Sequence, residues 1–227
     1  MFQWAYVWRY LPRILQAVPV TLLIVAVAIS AGVILGMAIT FIRVEKVPVL
    51  RRLSVVFVSF MRGTPMLVQL FIVYYGLPAL LNVFGINIMR ASKLFFVFVT
   101  YSLNSAAFLS ENFRAAIESI DRDQWDAAAS VGLGTFHVYT RVIIPQSVVI
   151  AIPSVGTHLS HLLQDTSLAF AIGVMDMVGK ISSMSASIGH SLEAYLVASV
   201  IFILLSFGIE RSFALLEKKT STRNGAV

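Results

Sequence analysis

Few residues in this sequence carry reactive chemistry, and those that do interrupt or separate long apolar runs. Asp165, Thr166 and Ser167 form an acidic, hydroxylated step before the apolar stretch that begins at Leu168. A carboxylate so placed either receives a cation or ends a helix at a surface. Arg62-Gly63-Thr64-Pro65 interrupts another run, and Gly and Pro there break helical hydrogen bonding. The arginine reads as a side chain reaching the nearer interface or as part of a hinge or gate. Asn104 and Ser105, with Tyr101 and Ser102, place polar groups near the middle of a third run, where such residues bond to neighbouring helices or touch a solute. His158 and His161 share a helix face, but no third ligand accompanies them, so no metal site is expected. The nearest approach to a phosphate loop, Gly173 to Gly179-Lys180, has one residue too many and Ile181 where Ser or Thr should follow. No nucleophile, base and orienting group recur together, and with no cysteine there is neither a thiol nucleophile nor a Cys-type metal site. Neither an enzyme nor a cofactor-binding chain is expected.

The elements that must hold these residues are membrane spans. Hydrophobic residues make up 58% of the 227 residues and charged residues only 12%, against about 25% charged in soluble domains. The excess of 17 Lys and Arg over 11 Asp and Glu then reflects loops facing the cytoplasm and not nucleic acid. Residues 1–17, with Trp4, Tyr6, Trp8 and Tyr10 among Arg9 and Arg13, suit a segment at the lipid headgroups. Spans are expected over Val18 to Ile42, Leu53 to Leu81, Leu94 to Ser110, Pro145 to Leu163 and Ala194 to Ile209, a bilayer needing roughly 20 mostly apolar residues. Leu168 to Met175 is too short to cross and suits a re-entrant or buried half-helix. Gly32 and Gly36 form a G-x-x-x-G that lets a neighbouring helix approach closely.

With the N-terminus outside and the C-terminus inside, the inner loops and tail hold 11 Lys and Arg and the outer segments five, with Arg62 left within a span. That asymmetry supports the orientation. The expected organisation is an interfacial segment 1–17, a transmembrane domain 18–210 with a cytoplasmic loop 111–145, and a cytoplasmic tail 211–227.

Glu111 to Gln146 is an island of charge of unusual length between two apolar runs, and such a connection is more often functional than a simple turn. Asp123 can cap a helix there, with Asp126 in the capping-box position, and Gly132 and Gly134 stop it after two to three turns. So short a helix needs packing to persist. Ala127, Ala128 and Val131 are expected on one face, small enough to enter a partner's groove.

D-A-A-A-S-V-G followed by V-I-I-P-Q resembles the EAA motif of ATP-binding cassette (ABC) importer permeases. Asp126, Ala127 and Ala128 stand for E-A-A, Gly132 for the glycine and Ile144-Pro145-Gln146 for the end; Asp126 for Glu, Val131 for Leu and Asp123 for Gly are departures that keep charge or apolar character. R-G-T-P-M-L-V-Q-L at Arg62 to Leu70, S-E-N-F-R-A-A-I at Ser110 to Ile117 and Q-D-T-S-L at Gln164 to Leu168 extend the likeness to the polar amino-acid branch over nearly the whole chain. The resemblance implies an all-α integral membrane fold of the type I importer kind, five transmembrane helices with a cytoplasmic coupling helix, in a bacterial inner membrane. It implies coupling to a cytoplasmic ABC ATPase dimer through Asp126, Ala127, Ala128, Val131 and Gly132, with ATP and Mg held by that partner. A second permease subunit, identical or related, an external solute-binding protein and an amino-acid substrate are implied as well. For the solute, Asp165, Thr166 and Ser167 could receive the ammonium, and Arg62, Thr64, Asn104 or Ser105 the carboxylate. A self-contained secondary transporter or channel is the alternative; it would need ion-coupling carboxylates within the spans and often shows repeated halves.

Overall fold

A computed structural model describes residues 2–188 and 190–223. The described residues are helical almost throughout: α1 (Trp4–Leu15), α2 (Val18–Val44), α3 (Leu50–Gly63), α4 (Met66–Val83), α5 (Lys93–Glu118), α6 (Arg122–Ser130), α7 (Thr135–Ile172), α8 (Met177–Ile188) and α9 (Ser191–Arg223). Five of these, α2, α4, α5, α7 and α9, are long and apolar enough to cross a membrane. Helix is the structure such a chain must adopt, because lipid offers no partner for an unpaired backbone group.

α5 is the central rod, packed against α2, α3, α4 and α7. Its small and polar residues Ser102, Asn104, Ser105, Ala106, Ala107 and Ser110 are buried and let those helices come close. The closest approach is to α2. A methyl group added at Gly32 would lie 2.5 Å from the Cβ of Ser105, and one at Gly36 would lie 3.2 Å from the Ala106 oxygen and the Leu109 Cβ. One turn on, the Thr40 hydroxyl donates to the Ser110 carbonyl at 3.0 Å, and beyond it Arg43 pairs with Glu111 at 2.7 Å. The G-x-x-x-G expected to draw in a neighbour therefore works within the chain.

The main core joins Ile24 and Ala28 of α2 to Leu70 of α4, Phe96, Val97 and Tyr101 of α5 and Leu162, Leu163 and Ala169 of α7. A second core brings Tyr10 and Ile14 of α1 against Met177 and Ile181 of α8 and Ala194 and Ile201 of α9. The N-terminal segment is thus a helix with one packed face, while Trp4 and Trp8 remain exposed. Gln3 N–H donates to the Glu193 carboxylate at 2.9 Å, and the Tyr6 and His190 rings stack 3.8 Å apart.

Two transmembrane helices widen to a π turn, at Ile72–Gly76 and Tyr139–Ile143. Each turn ends two residues before a proline, Pro78 or Pro145. A proline has no N–H and its ring collides with the carbonyl four residues back; the wider turn moves that carbonyl aside.

Several boundaries differ from the sequence expectation. The run from Leu53 to Leu81 is not one rod: Thr64 and Pro65 are extended, and α3 and α4 are separate helices. The charged island is not one connection, since Glu111 to Glu118 continue α5 and everything from Thr135 belongs to α7. Charge misled there because Glu111, Arg114 and Glu118 pair with one another along the helix surface. The step at Gln164 to Ser167 does not break the chain either; α7 tightens into a 3-10 turn over Thr166–Ile172 and stops at Gly173, whose φ is +79°. The segment after Gly173 contains α8, and α9 runs through the expected tail boundary at residue 210 without interruption.

Candidate functional site

Two regions gather the residues of interest: the connection between α5 and α7, and the part of the bundle where α5 packs against α3, α4 and α7.

In the connection, the N-cap is Asp121, not Asp123. The Asp121 backbone is extended and its carboxylate accepts from Asp123 N–H at 3.1 Å, so Asp123 already lies inside the helix. At the other end Gly132 has φ +80°. Gly132 N–H donates to the Ala129 carbonyl at 2.9 Å and Leu133 N–H to the Ala128 carbonyl at 3.2 Å, the paired bonds of a Schellman stop. Leu133 then packs on the same small core as Ala128.

That core holds Ile120, Ala128, Val138 and Ile143, flanked by Trp125 and Tyr139, whose rings meet edge to face at 5.0 Å. It fixes the rotation of α6. Ala128 is 6% exposed and faces the bundle, whereas Val131 is 76% exposed. Asp126, Ala127 and Gly132 are exposed as well. The expectation that Ala127, Ala128 and Val131 share an outward face is corrected for Ala128: with Trp125 three residues before it, it forms the inner face that holds the helix down. A 590 Å³ cavity lies beside this helix, with Arg122, Trp125 and Asp126 in its wall.

In the bundle, the break at Thr64-Pro65 leaves carbonyls of α3 without helical partners, and Gln69 supplies them. Its amide donates to the Met61 carbonyl at 2.7 Å, the Thr64 carbonyl at 3.0 Å and the Thr64 hydroxyl at 2.9 Å. Asn104 of α5 in turn donates to the Gln69 amide oxygen at 2.9 Å. Thr64 also donates to the Phe60 carbonyl at 2.8 Å. Thr64 and Asn104 are therefore brought into one network, and Gln69, which no polar pattern singled out in a run of apolar residues, is its hub. Ser105 is not part of it; it is fully buried beneath Gly32.

Arg62 is exposed at the end of α3 and lays its guanidinium over Phe108, 5.5 Å from the ring centroid. Phe108 stacks on His158 at 5.4 Å, the planes 16° apart. His158 is largely buried and its Nε2 has no partner among the described residues. Seven residues along each helix, and so on the same face, Tyr101 donates to the backbone carbonyl of Asp165 at 2.6 Å. That bond takes up a carbonyl released where α7 changes to the tighter turn. Asp165 is half-buried, Thr166 is fully buried and donates to the Leu163 carbonyl, and Ser167 donates to the Gln164 carbonyl. Asp165 and His158 thus lie about two turns apart on one side of α7, roughly 10 Å along the axis. Among the described residues no group of three or more His, Asp or Glu is placed to hold a metal ion.

The chain is 38% identical over 210 residues to the L-cystine transport system permease protein TcyL of Bacillus subtilis (strain 168), covering 92% of this chain and 88% of that one. It is 37% identical over 202 residues to the probable amino-acid ABC transporter permease protein PatM of Vibrio harveyi, covering 88% of each. In fold it matches a crystal structure of an amino acid ABC transporter with histidines, with a TM-score of 0.86 at 24% identity over 96% of this chain and 99% of that chain. An inward-facing MetNI methionine ABC transporter matches with a TM-score of 0.74 at 17% identity, over 92% and 96%. The model of the family described as binding-protein-dependent transport system inner membrane component matches residues 28–222, and the chain belongs to that family.

Proposed function

We propose that this chain is the membrane-spanning permease subunit of an ATP-driven, binding-protein-dependent amino-acid importer, with α6 as the helix that receives force from a cytoplasmic ATPase. The observation that carries this reading is the way α6 is built: nine residues, closed at both ends by its own caps, anchored through Ala128 and Trp125, with Asp126, Ala127 and Val131 turned outward. A short helix fixed to the bundle by one face can pass a push on the other to α5 and α7. Small outward side chains let a partner's groove close on its backbone. ATP and Mg belong to the ATPase dimer, and an external binding protein delivers the solute to a pathway shared with a second permease subunit.

For the solute we assign the face of α7 that carries Asp165 and His158, with Arg62 across Phe108. A half-buried carboxylate suits an ammonium and an exposed guanidinium suits a carboxylate. Thr64, Thr166 and Ser167 support this surface through the bonds they make to backbone carbonyls, Asn104 through its bond to the Gln69 side chain, and Ser105 through helix packing. The N-terminus lies outside and the C-terminus and α6 inside. The native chain has no cysteine, so a single Val131→Cys substitution tests the orientation directly: it should react with a membrane-impermeant maleimide only after the cells are opened. Purification of the tagged chain in mild detergent should bring down an ABC ATPase, and labelling in intact cells or the absence of any ATPase would contradict the reading.

A further inference from the structure

We infer that the groove between α2, α5, α7 and α9 at the α6 end of the bundle holds one phospholipid, whose headgroup carries a phosphodiester and a primary ammonium. The groove opens into a cavity of about 500 Å³. Its walls are apolar except at four residues. The Thr40 hydroxyl is engaged by the Gly36 and Ser110 carbonyls and that of Ser147 by the Ile143 carbonyl. Glu45 and Tyr139 stand at the end nearest α6. A dry, elongated space of this kind takes hydrocarbon and not water. Along α2 its lining runs from Val33 to Val44, twelve residues whose eleven steps rise about 16 Å. One leaflet of the hydrocarbon core is about 15 Å deep.

What selects a lipid over a protein segment is the second cavity. The 590 Å³ space beside α6 shares Val44 and Ile117 with the first, so the two lie next to each other. There the wall changes character to Glu118, Arg122 and Asp126 around Trp125. Apolar depth followed by mixed charge at the surface is the order of groups in a phospholipid. Arg122 suits the phosphodiester, and Glu118 and Asp126 suit an ammonium while opposing a purely anionic headgroup. The inference needs only that the chain spans a bilayer and is independent of what it transports.

Photo-crosslinking of the full-length chain in nanodiscs of equal parts phosphatidylethanolamine and phosphatidylglycerol tests it. A phosphatidylethanolamine with a photoactivatable acyl chain should give adducts at Met37 or Val148, in the cavity wall, about tenfold above the matching phosphatidylglycerol probe. Ala151→Trp, which fills the cavity floor, should remove those adducts. Should that variant fail to fold, Glu118→Gln combined with Asp126→Asn, both exposed, should abolish the preference between the two lipids and leave the acyl-chain adducts in place. Adducts no more frequent there than at Ile34 or Leu204, which are exposed on α2 and α9, would overturn the inference. Equal labelling by the two probes in the native chain would overturn it as well. So would chain-to-chain products from a photoreactive side chain placed at Met37, which would mean that a second copy fills the groove.

Discussion

The rings of Phe108 and His158 stack 5.4 Å apart, and seven residues away on each of the same two helices Tyr101 donates to the Asp165 carbonyl. These are two rungs between antiparallel helices, one aromatic and one a hydrogen bond, on the face assigned to the solute. His158 enters the aromatic rung with a buried nitrogen that no group among the described residues satisfies. Such a nitrogen costs about 1 kcal/mol or more to keep. His158→Phe should therefore keep the stack and raise the thermal stability of the detergent-solubilised protein, while reducing solute uptake in proteoliposomes. A fall in stability with uptake intact would show that His158 serves packing alone.

The seam between α2 and α5 makes a graded prediction. Gly32→Ala drives a methyl group to 2.5 Å from the Ser105 Cβ, whereas Gly36→Ala meets its neighbours at 3.2 Å. Overpacking of this kind costs about 1–3 kcal/mol. Gly32→Ala should be the more damaging of the two in a thermal unfolding assay, and adding Ser105→Gly should recover most of the loss. Independent effects of the two substitutions would contradict the close approach.

Gln69→Leu keeps the volume of the side chain and removes its hydrogen bonds. The Met61 and Thr64 carbonyls would lose their partner, as would the Asn104 amide. Each buried group left unpaired costs about 1–3 kcal/mol. Unfolding should shift by at least one such unit, and hydrogen exchange should quicken around residues 61–66. Unaltered exchange there would mean that the break is held by something other than Gln69.

Asp176 lies outside the transmembrane helices, is fully buried and caps α8 through a bond from Gly179 N–H to its carboxylate at 2.8 Å. Burial raises its pKa above the usual carboxylate value, against backbone hydrogen bonds that act to lower it. The folded state therefore binds the proton more tightly than the unfolded chain does. Its contribution is largest at low pH and declines as pH rises from about 3.9 through the raised folded value. Asp176→Asn keeps an acceptor for Gly179 and removes the charge. It should be more stable than the native chain at neutral pH and should lack this part of the pH dependence; a less stable Asp176→Asn protein at pH 7 would contradict the sign.

Much of this arrangement could be read before the structure. Apolar length marked five spans, because lipid leaves the backbone no alternative to helix. Gly132 marked the stop of α6, because its left-handed backbone suits a residue without a side chain. What could not be read were facts of rotation and pairing. Ala127 and Ala128 are identical in type, and only the core around Trp125 and Ile143 decides which of them faces inward. Three aspartates at 121, 123 and 126 compete to cap one helix, and a choice two residues off follows from that redundancy. Gln69 looks like a stray amide in an apolar run until the carbonyls freed across Thr64-Pro65 are counted. Pro78 sits unremarked inside one expected span and Pro145 at the start of another, whereas the relief each demands is a widening of the helix before it.

The coupling role of α6 is the centre of the account, and the ratio of solute taken up to ATP hydrolysed tests it most directly. With the chain and its ATPase partner reconstituted in proteoliposomes, Ala127→Trp places a bulky side chain on the outward face while Ala128 and Trp125 still hold the helix. Uptake per ATP should fall by about tenfold, the loss of roughly 1.4 kcal/mol of coupling, with membrane insertion and thermal unfolding unchanged. An unaltered ratio in a folded, inserted Ala127→Trp protein would contradict the assignment of α6 as the helix that receives the force.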